Sequence, residues 1–332
     1  MQEASDKFFS RLGKKRPTKS NYFAERTESE QRKLVKFASQ SYPIVHEDVL
    51  KEAEKFLEEN KEKHSIYASM NLLDFFDRLI KKRPLVFIGA QDDWMDKYGT
   101  KGSGDWDRKA RNDIENFLTY REQKLSALIQ LSTETLLINP GGRYNKGQAA
   151  PEGSFIKEAV YVGVVGARFE KPGKMDHQDC VISQHSESWR RQQSRFTFEQ
   201  IGHSDLLFNV TLYKNRMRLS FETFLLEANR RGWQQKKKIY CHVVGLGLGV
   251  WQLQGYQNQT KHFFDAFEES LDNLLENSNI DHLSDVDFSW VDPPVDAVFK
   301  HLHKFKDSNV RIHISRRDPF AKHEREKVNN LL

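Results

Sequence analysis

The strongest constraint in this chain is one junction. Lys238-Ile-Tyr-Cys-His-Val-Val244 reads as a strand and runs without a spacer into Gly245-Leu-Gly-Leu-Gly249. A strand that ends in alternating glycines and is followed by an amphipathic stretch is the signature of an α/β layer, because that loop must turn sharply and let backbone approach something closely. The following stretch carries Phe263, Phe264, Phe267, Leu271, Leu274 and Leu275 at helical spacing.

The same alternation extends in both directions. Leu85–Ile88, Thr135–Ile138, Ala159–Val165, Cys180–Ile182, Val286–Trp290 and Val310–Ile314 read as strands. Ala159–Val165 is continuously apolar, which predicts a strand covered on both faces. Ser204 and Asp205 predict the start of a long helix through Leu207, Val210, Met217, Phe221, Phe224 and Leu225, with Gly232 as its stop. Phe299 and Leu302 predict a short helix before the last strand, and residues 105–130 another helix. From Glu28 to Lys82 the apolar spacing is helical, as in Val49, Leu50, Ala53, Phe56 and Leu57, until Arg83-Pro84 ends it.

The expected organisation is a flexible basic arm over 1–27, a helical region over 28–84, and an α/β domain over 85–325. Its sheet is expected to be mixed but mainly parallel, flanked by helices.

Composition narrows the class. With 23 Phe and 6 Trp the chain cannot stay solvated, and its net charge of +5 is too small to argue for nucleic acid. The longest apolar run is far below the roughly 20 residues of a membrane span, and Met1–Lys7 lacks the layout of a signal peptide. Two cysteines support neither a disulfide framework nor a four-cysteine zinc site. These features predict a soluble, cytoplasmic protein with no metal and no bound cofactor. His177, Asp179 and Cys180 are too close together to wrap one metal, and there is no Walker loop or Gly-x-Ser-x-Gly.

In an open α/β sheet ligands bind beyond the carboxyl ends of the strands, which singles out three loops. In Gly245-Leu-Gly-Leu-Gly-Val-Trp251, backbone N–H groups can point at a diphosphate. A tight turn that only packs on a helix is the alternative. In Asn139-Pro-Gly-Gly-Arg-Tyr-Asn-Lys-Gly147, Asn139 and Asn145 offer hydrogen bonds to ribose and Arg143 a planar fork to phosphate. An ordinary turn has the same residues. In Ser315–Ala321, Asp318 can accept hydrogen bonds and Phe320 can stack on a base, or the segment is an exposed Asp-Pro turn. A fourth stretch gathers Arg168, Glu170, Asp176 and Asp179, carboxylates able to activate water or stabilise an oxocarbenium-like sugar, or else the solvated charges of a surface hairpin.

The pairing of the Asn/Gly-Gly loop with Val243-Val-Gly-Leu-Gly-Leu-Gly-Val-Trp251 resembles the macrodomain family of ADP-ribose binders. Leu137–Gly147, Gly166–Glu170 and Ser315–Phe320 resemble a divergent branch of it that includes the bacterial effector MavL, an ADP-ribosylhydrolase acting on ADP-ribosylated ubiquitin. The resemblance spans about residues 85–325. It implies that Gly245, Leu246, Gly247, Leu248 and Gly249 cradle the diphosphate and that Val250 and Trp251 wall the distal ribose. Asn139, Gly141 and Gly142 would flank that ribose, with Arg143 and Asn145 on the same loop. Phe320 would contact adenine, with Asp318 close by. The chain departs from ordinary macrodomains in its helical N-terminal third and in Gly-Gly-Arg where three glycines are usual.

Three functions remain open. One is an ADP-ribosylhydrolase acting on a modified protein, arginine of ubiquitin being what the resemblance implies, with Asp176 or Asp179 as the reacting carboxylate and Glu170 and Asp318 behind them. The others are a reader that binds ADP-ribose without cleaving it and a nucleotide-independent scaffold.

Overall fold

A computed structural model describes residues 26–62, 65–82, 94–95, 101–102, 104, 106–142, 145, 148–165, 173–249, 252–291 and 308–322. The expected strand Leu85–Ile88, the expected helix around Phe299 and Leu302, and the arm before residue 26 lie outside the described residues.

The N-terminal region is helical, as its periodicity predicts. Helix α1 (Glu28–Ser39) opens on a capping box in which Thr27 and Glu30 satisfy each other's backbone N–H. Helices α2 (Glu47–Asn60) and α3 (Leu72–Lys81) follow, each N-capped by a side chain. Between α1 and α2, β1 (Tyr42–Ile44) pairs antiparallel with β4 (Gln130–Leu136), so this region adds a strand to a sheet. A short hairpin pairs β2 (Trp94–Met95) with β3 (Lys101–Gly102). The stretch predicted as one helix over 105–130 is two, α4 (Trp106–Asn112) and α5 (Tyr120–Ser126), because Thr119 caps a new helix with Glu122.

The sheets correct the expectation of one mainly parallel layer. β4 is central to the antiparallel order β1-β4-β5, with β5 at Glu158–Val164. β5 is not covered on both faces; Val160 and Tyr161 are exposed. A second antiparallel sheet orders β6 (Val181–Ser183), β8 (Leu206–Asn209) and β7 (Phe198–Gln200) as 6-8-7. Only the sheet of β9 (Ile239–Val243), β10 (Leu283–Ser289) and β11 (Arg311–Ser315), ordered 11-10-9, is parallel among the described residues. The architecture is mixed α/β with small sheets. Helices α6 (Met175–Cys180) and α7 (Glu187–Gln192) flank β6, and Cys180 ends α6 instead of opening the strand.

The long helix α8 spans Val210–Gln235, and Ser204-Asp205 does not start it. Residues 206–209 form β8 first, and the cap is Asn209, whose side chain accepts from the Leu212 N–H. Gly232 does not stop the helix either. A Cβ there would lie 2.7 Å from His282 Cβ and 2.8 Å from Ile239 Cγ1, so glycine lets the last turn pass close to β9, and Lys236 takes the left-handed terminal position.

Two cores meet at α8. Met217, Phe221 and Leu225 face the parallel sheet and α9 (Gln259–Asn277), where Phe267 packs edge-on against Phe288 at 4.7 Å. Leu219 belongs to the other core, with Phe56, Phe75, Leu79 and Leu128. Burial on both sides explains why α8 lacks a single apolar stripe. None of the helices among the described residues is long and apolar enough to cross a membrane.

Candidate active site

The carboxyl ends of the parallel strands open onto a cavity of about 750 Å³. Its walls are Val244–Gly249 after β9, Ser289–Val291 at the end of β10, and Gly141 and Pro319 from two further loops, with Gln252 ahead of α9 and Thr260 in its first turn. Two of the loops singled out in the sequence therefore line one space, and Pro319 brings in the third.

Each glycine has a local reason. Gly247 sits at φ +78° with nothing within 4 Å of a Cβ, so backbone conformation demands it there. A Cβ on Gly245 would lie 3.3 Å from both Leu248 Cβ and Val291 Cγ2, so packing demands it. The loop folds through Leu246 N donating to Val244 O at 2.8 Å and Leu248 N to Gly245 O at 3.0 Å. Buried Gln259, first residue of α9, accepts from Leu253 N at 2.8 Å and donates to Gly247 O. That contact fixes the glycine turn against the amino end of a helix of 19 residues, an end that favours anions.

The second loop is braced from beneath. Gly141 (φ +81°) packs so tightly on Phe320 that a Cβ would lie 2.8 Å from Cδ2, and one on Gly142 would lie 2.8 Å from Asp318 Oδ2. Phe320 N donates to Pro140 O at 2.8 Å. Asn139 is buried and its amide shapes the loop: it donates to Gln148 O at 2.7 Å and accepts from Gly141 N at 2.9 Å and Asn145 Nδ2 at 3.0 Å. Asn139 and Asn145 thus bond each other. Phe320 meets Tyr161 edge-on and lines, with Asn139 and Ile138, a separate space of about 280 Å³. Asp318 and Phe320 support the loop; neither is among the residues lining the large cavity.

The carboxylates predicted to react are elsewhere. Asp176, 1% exposed, lies 2.6 Å from Arg216 Nε in an ion pair whose alignment is poor for a hydrogen bond. Asp179 pairs with Lys124 and lines a different cavity, of about 630 Å³, beside Tyr120, Lys174 and Gln178. The structure does not bring either to the glycine-lined cavity. Glu170, Arg143, Val250 and Trp251 lie outside the described residues.

The sequence reading missed what β10 contributes. Trp290 follows it at φ +57°, 46% exposed on the cavity wall, with its N–H donating to Ser315 O at 2.9 Å. A bulky residue in that region is a strained conformation. The face of the parallel sheet opposite the apolar core is polar throughout. Asp287 accepts from Tyr240 Oη at 2.7 Å and Ser315 Oγ at 2.9 Å, while Asp285 pairs with Arg311 Nε at 2.8 Å and His313 Nε2 at 2.7 Å. Burial and the neighbouring Asp287 push the Tyr240 hydroxyl well above its usual range. The signal was available: the strand-end rule applies to Val286–Trp290 as much as to its neighbours. Among the described residues no group of three or more His, Cys, Asp or Glu is placed to hold a metal.

The sequence model of the family described as ADP-ribosylhydrolase MavL-like matches residues 1–192 and 185–332. The chain belongs to the MavL-like ADP-ribosylhydrolase family. It is 30% identical over 334 residues to a Drosophila melanogaster protein named ADP-ribosylarginine hydrolase CG3568, which covers 84% of this chain and 65% of the relative. A second Drosophila melanogaster protein, ADP-ribosylarginine hydrolase CG2909, is 28% identical over 333 residues, 85% of this chain and 65% of its own. The chain thus spans just under two thirds of the length of these two relatives.

Proposed function

We propose that this chain removes ADP-ribose from arginine side chains of a modified protein, and that the cavity at the ends of β9 and β10 holds the ADP-ribose. The supporting observation is that Gly141 and the Gly245–Gly249 turn line one cavity beside the amino end of α9, in a chain of an ADP-ribosylhydrolase family. A diphosphate suits that place: a glycine turn admits close approach of backbone N–H groups, and the helix end adds partial positive charge. The large cavity is of a size that takes a nucleotide.

Hydrolysis breaks the bond between the ribose anomeric carbon and the guanidine nitrogen and adds water at that carbon. A carboxylate activates the water or steadies the ribosyl cation it captures, and the guanidine leaves with the water's proton. We assign the carboxylate's part to Glu170 or Asp318 ahead of Asp176 and Asp179, which are held by Arg216 and Lys124 and do not line the cavity; Asp318 stands behind the cavity wall, against Gly142 and next to Pro319. Ubiquitin as the modified protein follows from the resemblance to MavL.

The test is incubation with arginine-ADP-ribosylated ubiquitin and with an unrelated arginine-ADP-ribosylated protein, reading released ADP-ribose. Release from either, abolished by Gly247→Glu, is the expected result. Tight ADP-ribose binding without release identifies a reader. Absence of both binding and release overturns the proposal.

A further inference from the structure

The polar face of the parallel sheet reaches the cavity at one point, Ser289, and the geometry there fixes which way its proton points. His242 Nδ1 lies 2.8 Å from Ser289 Oγ, and His242 Nε2 lies 2.9 Å from Arg317 Nη1. A guanidinium can only donate, so Nε2 is the acceptor and carries no proton. The ring proton is therefore on Nδ1 and is donated to Ser289 Oγ. Asp287 Oδ2, 3.6 Å from Nδ1, places negative charge beside that proton, and Tyr240 and Ser315 hold Asp287 in turn. Arg317 is itself anchored by a bond from its Nη2 to Ala321 O. Having accepted from His242, the Ser289 hydroxyl has its own O–H to give, and Ser289 lines the cavity.

We propose that Ser289 is a ligand-binding residue whose hydroxyl donates to a phosphoryl oxygen of the bound diphosphate, and that His242 is a positioning residue that aims it. The assignment deepens the ADP-ribose reading of the cavity and depends on it. A phosphoryl oxygen fits because it only accepts, and because Ser289 lies in the same wall as the glycine turn and the amino end of α9. A fixed serine donor beside those backbone donors gives the diphosphate contacts from two adjacent strand ends, β9 and β10.

The experiment is calorimetric titration of ADP-ribose into the full chain, with thermal melts of every variant. Ser289→Ala is expected to weaken binding by about 10- to 100-fold, the range for losing a hydrogen bond to a charged group. Ser289→Thr, which keeps the hydroxyl, retains most of the affinity. His242→Leu weakens binding in the wild-type background and adds little on top of Ser289→Ala, since its effect passes through that hydroxyl. His242→Asn, whose amide nitrogen reaches the Nδ1 position, restores part of the loss. Wild-type affinity in Ser289→Ala overturns the assignment while leaving the ADP-ribose reading intact. Full additivity of the two losses removes His242 from its positioning role. A wild-type chain that binds no ADP-ribose overturns the parent reading and this one together.

Discussion

Asp176 shows how the structure separates a carboxylate that holds the fold from one that does chemistry. Asp176→Asn removes the charge facing Arg216 and leaves that guanidinium, 6% exposed, with Glu52 at 3.5 Å and the Lys124 carbonyl at 3.2 Å. Breaking a buried pair from one side costs about 3–5 kcal/mol. Glu52 is 45% exposed and offsets only part of this, so about 3 kcal/mol is expected. For 332 residues the unfolding entropy is about 0.7 kcal/mol/K, and the melting temperature should fall by about 4 °C. The assays are a thermal melt by circular dichroism and ADP-ribose titration below the transition, with Asp179→Asn alongside. Asp179 and Lys124 are partly exposed, so that variant should melt within about 1 °C of wild type. Both variants should keep wild-type affinity for ADP-ribose and wild-type turnover at 25 °C. Loss of turnover with an unchanged melt in either would refute this division and return the reacting carboxylate to α6.

Glu122 is fully buried and accepts from Arg78 Nε at 2.6 Å and Thr119 N at 2.8 Å, so Glu122→Gln should cost about 3–5 kcal/mol in a urea titration, far more than a surface change. Burial, with Asp285 adding to it, pushes the Cys241 thiol up to about 12, and burial raises Cys180 as well. A thiol reagent at pH 8 should label neither cysteine in the folded chain and both after unfolding. Burial alone would raise Asp285, but hydrogen bonds from Arg311, Ser284 and His313 outweigh it and hold the carboxyl below its usual value. Its stabilisation is therefore present above about pH 4 and lost as pH falls through the lowered value. Asp285→Asn should flatten the acid limb of a stability–pH curve below about pH 4, and an unchanged limb would count against the pairing.

Helices with long apolar periods were legible in the sequence, as α2, α3 and α9 show, because burial of one face repeats every three or four residues. Short segments were not. Leu206–Asn209 follows Ser-Asp and reads as a helix start, yet four residues carry too little period to tell a strand from a first turn. Ala159–Val165 is apolar in sequence, but whether anything covers Val160 and Tyr161 is a tertiary matter. The glycines of the cavity were visible as types, and their pairing across the chain was not. Asp285 and Asp287 were the hardest to see: charged residues alternating inside a strand suggest solvent, whereas here they are buried with partners from β9 and β11. Asp176 misled for the converse reason, since proximity in sequence to Glu170 says nothing about Arg216, 40 positions away.

The cavity walls come from residues near 141, 245–249, 289–291 and 319, and the loop at 141 rests on Phe320. During vectorial synthesis the last of these segments leaves the ribosome long after the first. The early loop must therefore wait without its support, and a nascent chain shorter than about 320 residues should have no finished cavity at the strand ends, however well its helices have already folded.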